Sequence, residues 1–75
     1  MPRFYFDCSG THQFLLDTLG SEVADLGEAR AHALQVARLV MRTGLFEDDW
    51  YDWVVEINDE SGEAALLVRF SDAAH

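Results

Sequence analysis

The sequence has a single cysteine and no long apolar run, and both features exclude classes of protein. Because Cys8 is the only cysteine, no internal disulfide can form, and the fold depends on its core or on a second subunit. No window approaches the roughly 18 apolar residues that a membrane-spanning helix needs. The opening Met1-Pro2-Arg3 is soon followed by Asp7, unlike a secretory signal. We therefore expect a cytoplasmic protein that does not enter a membrane.

Basic side chains are also scarce. Lysine is absent, and five arginines oppose 14 aspartates and glutamates, which gives a formal charge of −9 with histidine neutral. Nucleic-acid binding gains most of its affinity from neutralised phosphates, and an anionic membrane repels an acidic chain in the same way. The charge therefore argues against both partners. It keeps a small domain soluble, and it favours a basic partner protein or cations.

The length and the apolar pattern predict one domain, residues 1–75, with four strands. Nearly half of the residues (49%) are hydrophobic, which is enough for one core and argues against disorder. Apolar and polar residues alternate with a period of two in four segments, as in half-buried strands. The strands are expected at about 3–9, 13–17, 53–58 and 63–71, the first two joined as a hairpin.

One amphipathic helix is predicted at about 26–43. Asp25 and Glu28 form a variant of the capping box, with Glu28 reaching back to the Asp25 amide, and Gly44 is the expected left-handed terminator. The apolar stripe is rich in alanine, so the helix can lie close to a sheet. It comprises Leu26, Ala29, Ala33, Val36, Ala37, Val40 and Met41.

These elements predict a two-layer α+β fold, with one helix on a four-stranded antiparallel sheet in the order strand-strand-helix-strand-strand. The other face of such a sheet has no cover. Besides Glu56 and Arg69, the strand phases place four apolar residues there: Tyr5, Leu15, Val54 and Leu67. Exposed apolar patches often mark interfaces, although single exposed apolar residues are ordinary. We expect dimerisation through this face or through a strand edge.

Aromatic residues are concentrated from Phe46 to Trp53. Aromatic side chains are enriched at binding hot spots, and they also fill small cores. Trp53 is expected in the core, whereas Trp50 or Tyr51 is a candidate partner contact.

The chain carries no recognisable catalytic motif. Cys8 and His12 lie four residues apart across a turn, but Cys8 shares its strand face with apolar residues, which favours a packing role. His32 is expected at the surface of the helix. Arg30 falls within the apolar stripe of the helix, where its side chain is expected either to extend its charged head into solvent or to pair with a carboxylate such as Asp7 or Asp17. The alternative for Arg30 is an anion or partner contact.

Acidic residues follow the helix without the spacing of a calcium loop. They are Glu47, Asp48, Asp49 and Asp52. We expect a solvated acidic loop there, and we predict no catalytic, cofactor-binding or metal-ligating residue in the chain.

The sequence resembles a family of very small bacterial proteins of unknown function. Members typically open with Met-Pro-Arg-Tyr-Phe-Phe, which residues 1–6 match closely. An Asp-Leu-x-x-Ala-Arg helix entry corresponds to residues 25–30, and an Asp-Glu-x-Gly turn before a final apolar strand corresponds to residues 59–62. Gly27 stands where a better helix former is usual. The resemblance implies a bacterial cytoplasmic setting and brings no activity and no catalytic residues.

Three functional hypotheses follow. The first is a non-enzymatic interaction or regulatory module that acts as a homodimer, with a basic protein as its partner. The second is a small enzyme or small-molecule binder with a site at a dimer interface, using Cys8, His12 or Arg30. The third is an antitoxin-like domain, because HicB-type antitoxin domains are similar in their order of elements. No cofactor, nucleic acid or membrane is expected.

Overall fold

Among the residues that the structure describes, five antiparallel strands and one α-helix form the fold. The computed structural model describes residues 1–44 and 50–74. The expectations for Phe46, Glu47, Asp48 and Asp49 therefore lie outside the described residues. The strands are β1 (Arg3–Ser9), β2 (Phe14–Leu15), β3 (Ser21–Glu22), β4 (Val54–Asn58) and β5 (Ala64–Arg69); the helix is α1 (Leu26–Thr43), and two short 3-10 helices span Trp50–Asp52 and Phe70–Ala73. The predicted α+β class and order of elements are confirmed.

The sheet is built around β1 and β4. Its strand order is β2-β1-β4-β5, and β3 also pairs with β1. β1 and β4 pair along five residues, from Tyr5 opposite Asn58 to Ser9 opposite Val54. Every pairing is antiparallel. The outer edge of β1 is thus shared by β2 at one end and β3 at the other.

The predicted second strand, 13–17, is shorter in the structure and is followed by β3. The chain leaves the sheet after Leu15, and the side chain of Asp17 takes over the hydrogen bonding. Asp17 accepts hydrogen bonds from the backbone N–H of Phe6 (3.2 Å), Leu19 (3.2 Å) and Gly20 (3.0 Å). A carboxylate acceptor satisfies several donors at once, so one side chain stabilises the break between β2 and β3.

The last predicted strand, 63–71, ends earlier because the chain turns into the core. β5 stops at Arg69, and Phe70 begins a 3-10 helix with its side chain fully buried. The Phe70 N–H still donates to the Trp53 carbonyl at 2.9 Å. At the other end of β5, a bulge opposite Ile57 and Asn58 shifts the register, and Ala64 pairs with Asn58.

Helix α1 begins and ends as predicted, with one difference at its cap. The Asp25 carboxylate accepts from the Glu28 N–H at 2.8 Å, and Gly44 adopts the left-handed conformation (φ 67°). The Glu28 carboxylate, however, accepts from the Ala24 N–H (3.3 Å) rather than from Asp25. Among the helices of the described residues, none has the length and apolar character to cross a membrane.

Alanines let α1 lie directly against the sheet. Ala29, Ala33 and Ala37 are fully buried, and the volume that they leave is filled by aromatic rings from the other layer. Trp53, buried as predicted, packs against Phe70 with ring centroids 5.5 Å apart. The predicted stripe is wrong at its first position, because Leu26 is exposed.

We expect Ala33→Leu to lower the free energy of unfolding by about 1–3 kcal/mol, because the added methylenes would force α1 away from the sheet. Urea denaturation monitored by tryptophan fluorescence measures this. Ala31 is exposed on the same helix, so Ala31→Leu is the matched control and should change stability by less than about 0.5 kcal/mol. Equal losses in the two variants would contradict the close packing.

We expect Asp17→Ala to lower the free energy of unfolding by about 1–3 kcal/mol, because it removes the acceptor of three backbone N–H groups. Asp52→Ala, at an exposed aspartate, is the control and should change stability by less than about 0.5 kcal/mol. Urea denaturation of both variants tests this, and an Asp17→Ala variant as stable as the parent would show that water replaces the carboxylate without loss.

Candidate functional site

The face of the sheet opposite α1 is the main candidate surface. Alternate strand residues there are half-buried or exposed, whereas their neighbours in the chain are buried under the helix. We call this surface the open face. It comprises Tyr5, Asp7, Ser9, Phe14, Val54, Glu56, Asn58, Leu67 and Arg69, as set by the strand registers.

The open face is organised in rows across the strands. One row runs from Phe14 through Ser9 and Val54 to Arg69, and a second row runs from Asp7 through Glu56 to Leu67. Neighbours within a row are close enough for their side chains to touch. An apolar or aromatic side chain thus stands beside a charged or polar one in both rows.

The predicted apolar residues of this face are placed correctly in three of four cases. Tyr5, Val54 and Leu67 lie on the open face, and Leu67 is 54% exposed. The prediction for Leu15 is wrong: it pairs with Cys8 and packs against the core, and Phe14, 66% exposed, takes its place. The length of the hairpin loop determines whether Phe14 or Leu15 faces the open side of the sheet. A four-residue connection, residues 10–13, sets Ser9 opposite Phe14.

An acidic groove of about 460 Å³ runs along one side of the open face. We use this name for the cleft whose carboxylates are Asp7, Asp17, Asp59 and Glu60, with Tyr5 and Leu16 as its apolar wall. Leu16 is 65% exposed. The groove therefore combines negative charge with apolar surface. It adjoins the second row of the open face, which contains Asp7 and Glu56.

Most carboxylates of the acidic groove also stabilise the fold. Asp7 accepts from the Asp17 N–H (2.8 Å) and the Asn58 side-chain amide (3.1 Å), and Glu60 accepts from the Arg3 N–H (3.1 Å). The Ser61 hydroxyl, with backbone N–H groups of the same turn, lowers the pKa of Asp59. Within the described residues, no three His, Cys, Asp or Glu side chains are grouped to hold a metal ion.

A second hollow, of about 280 Å³, lies at the far end of β5. Its lining includes Tyr51, Val54 and Arg69. Tyr51 is 74% exposed. Trp50, the other predicted aromatic contact, is half-buried, with its ring centroid 5.7 Å from that of Phe70. The structure thus places Tyr51 beside the open face and packs Trp50 largely against the core.

The candidate reactive residues are not assembled into a site. Cys8 is buried, and burial together with the negative charges of Asp7 and Asp17 raises the pKa of its thiol to about 11. His12 is exposed in the hairpin turn that follows β1. His32, predicted at the surface, is half-buried, with its ring 4.6 Å from Phe6.

Of the two outcomes expected for Arg30, the structure has the charged head in solvent and not the ion pair with Asp7 or Asp17. The Arg30 side chain is exposed, and Asp7 and Asp17 accept hydrogen bonds from backbone groups and Asn58 instead. Among the described residues, the ion pair that forms joins Arg3 to Glu22 at 3.2 Å. Arg30 therefore lies in solvent, because an exposed position costs its guanidinium no desolvation.

Comparison with known proteins identifies a family and gives no activity. The model of the family described as "Domain of unknown function (DUF6894)" matches residues 3–71. No curated protein and no solved structure matches the chain. The family limits agree with the described fold, from the first residue of β1 to the 3-10 helix after β5.

The raised pKa of Cys8 predicts a loss of stability at alkaline pH. The thiol of the unfolded chain ionises near its ordinary value of 9.0, whereas the folded chain keeps its proton up to about 11. Between these values the unfolded state binds fewer protons, so the free energy of unfolding falls as pH rises. Urea denaturation over this pH range measures the slope. Cys8→Ala should reduce it, and an unchanged slope in that variant would assign the loss to other groups.

Proposed function

The chain belongs to the DUF6894 family, and since that description names no activity, we propose a function from the surface of the molecule. The protein is a non-enzymatic interaction module. It acts as a homodimer and binds a basic, partly apolar segment of another protein on the open face, beside the acidic groove.

One observation supports this proposal above all: the open face exposes apolar side chains that no element of the described residues covers. Phe14 and Leu67 are 66% and 54% exposed, and Tyr5 and Val54 share this face on β1 and β4, the two strands between β2 and β5. A single helix cannot cover both faces of a sheet. Burying these side chains against a partner is favourable by roughly 25 cal/mol for each Å² of apolar area.

The charges around the apolar side chains favour a basic partner. Asp7 and Glu56 occupy the second row of the open face, with Leu67, and Asp59 and Glu60 line the adjoining acidic groove. Three of the five arginines, Arg30, Arg38 and Arg42, belong to α1. Complementary charge speeds association and selects among partners, so a segment that presents lysine or arginine fits this surface.

The small-molecule and enzyme hypotheses have weaker support. The Cys8 thiol is buried with a raised pKa, which is the opposite of an activated nucleophile. His12 and Arg30 are exposed on elements that do not line either groove. The acidic groove is lined by carboxylates that already accept hydrogen bonds from the turns they stabilise.

We expect a short peptide that alternates lysine and valine to bind the open face. Titration followed by two-dimensional amide NMR should shift the signals of Tyr5, Asp7, Glu56 and Leu67, and added salt should weaken the effect because it screens the charges. A peptide that alternates glutamate and valine is the control. Equal shifts with both peptides, or shifts confined to the solvent side of α1, would contradict the proposal.

Charge reversal tests the same surface. Glu56→Lys should weaken binding of the lysine peptide by about tenfold or more, because it places like charges together at the centre of the open face. Asp72→Lys makes the same change in net charge at an exposed residue of the last 3-10 helix, which packs against α1. It should leave the affinity within about twofold. Equal effects of the two variants would mean that net charge alone, and not this face, attracts the peptide.

A further inference from the structure

We propose that two copies of the chain join through the outer edge of β5, in an antiparallel pairing centred on Val68. This inference rests on the proposed function, in that it names the surface through which the proposed homodimer forms. The result is one continuous sheet with both helices on one side and both open faces on the other.

The first support is the unpaired edge of β5. β5 is the last strand of the sheet, and within the part of the chain that the structure describes no strand covers its outer side. Phe70 donates inward to Trp53, and Val68 pairs inward with Val55. Because antiparallel hydrogen bonds alternate along a strand, the N–H groups of Leu67 and Arg69 and the C=O of Leu67 point outward, whereas the C=O of Arg69 caps the 3-10 helix Phe70–Ala73. Such groups are a template for another strand.

The register of β5 against β5 of the second copy follows from the positions of Leu67 and Arg69. When Val68 lies opposite Val68 of the second copy, Leu67 lies opposite Arg69 of the second copy, and the reverse pair forms on the other side of the two-fold axis. In each pair the outward N–H of Arg69 donates to the outward C=O of Leu67 of the other copy. The bulge of β5 lies near Ala64, outside this pairing, so the paired stretch is regular.

The side chains at this register are complementary in charge. Arg69 of the second copy would extend the row of Asp7, Glu56 and Leu67, with its apolar stem over Leu67 and its guanidinium toward Glu56. Neither Arg69 nor Glu56 makes an ion pair within residues 1–44 and 50–74. Both are exposed in the single chain.

The hollow at the end of β5 of the second copy lies close to Leu67 of the first. Leu67, which is 54% exposed, would stand next to Arg69 of the second copy, at the rim of that copy's hollow of Tyr51 and Val54. Two such contacts form, one on each side of the axis. The paired stretch is short, so we expect a weak dimer, with a Kd in the micromolar range or above.

Sedimentation of the full chain over a range of concentrations, from about 10 μM to 1 mM, tests the dimer. We expect the mean mass to rise from that of one chain, 8.5 kDa, toward twice that value. Leu67→Lys should abolish the rise. Leu39→Lys, at a residue 58% exposed on α1, is the matched control and should leave it unchanged. Amide NMR spectra confirm that both variants are folded.

Charge exchange gives a second, independent test. Arg69→Glu and Glu56→Arg should each weaken the dimer at least severalfold, and the double variant should recover most of the loss. Amide exchange at Arg69 should slow with rising concentration, while Val68 stays protected throughout.

The outcomes separate this inference from the function on which it rests. A parent protein that stays at the mass of one chain would overturn both the edge pairing and the homodimer. A concentration-dependent dimer that is insensitive to Leu67→Lys and Arg69→Glu would overturn the edge pairing alone. Binding of the lysine peptide by a monomer would keep the interaction surface and remove the dimer.

Discussion

The fold depends on the close contact of one alanine-rich helix with the sheet and with the 3-10 helix Phe70–Ala73. With no disulfide, the layer between α1 and these elements holds the chain together. Ala29, Ala33 and Ala37 set the distance between the layers, and Trp53 and Phe70 fill the volume beyond them. Residues 1–44 and 50–74 hold a single α-helix, and within them the same packing that stabilises one face of the sheet leaves the other without cover.

Much of this architecture was predictable because it rests on local signals. The cap at Asp25 and the left-handed Gly44 define the helix from a few neighbouring residues, and the period of two in β1 and β4 identifies the buried side chains. The break between β2 and β3 was not predictable, because it depends on Asp17 reaching the backbone of a strand distant in the chain. The position of Leu15 was predicted wrongly because a two-residue strand is too short for a reliable alternation.

Most of the apolar residues of the open face could be predicted from the sequence, but the arrangement of the charged residues beside them could not. Tyr5, Val54 and Leu67 follow from strand phase alone, whereas the acidic groove arises where turns from opposite ends of the chain meet. The sequence offers Asp7 and Asp17 as examples of carboxylates within reach of Arg30, whereas in the structure they accept from backbone and amide donors that only the folded chain brings near. Polar groups with such long-range partners are the ones that a single sequence describes least well.

The divided edge of β1 has a consequence for how far assembly can proceed. β2 and β3 each pair with β1 over two residues, and the chain between them turns away around Asp17. That side of the sheet therefore offers no continuous row of free donors and acceptors to an incoming strand. A sheet that can pair with another chain at one edge only has no free edge left once that edge is paired. Fibre formation needs two such edges, so this protein is protected from open-ended polymerisation by the interruption in its own second strand.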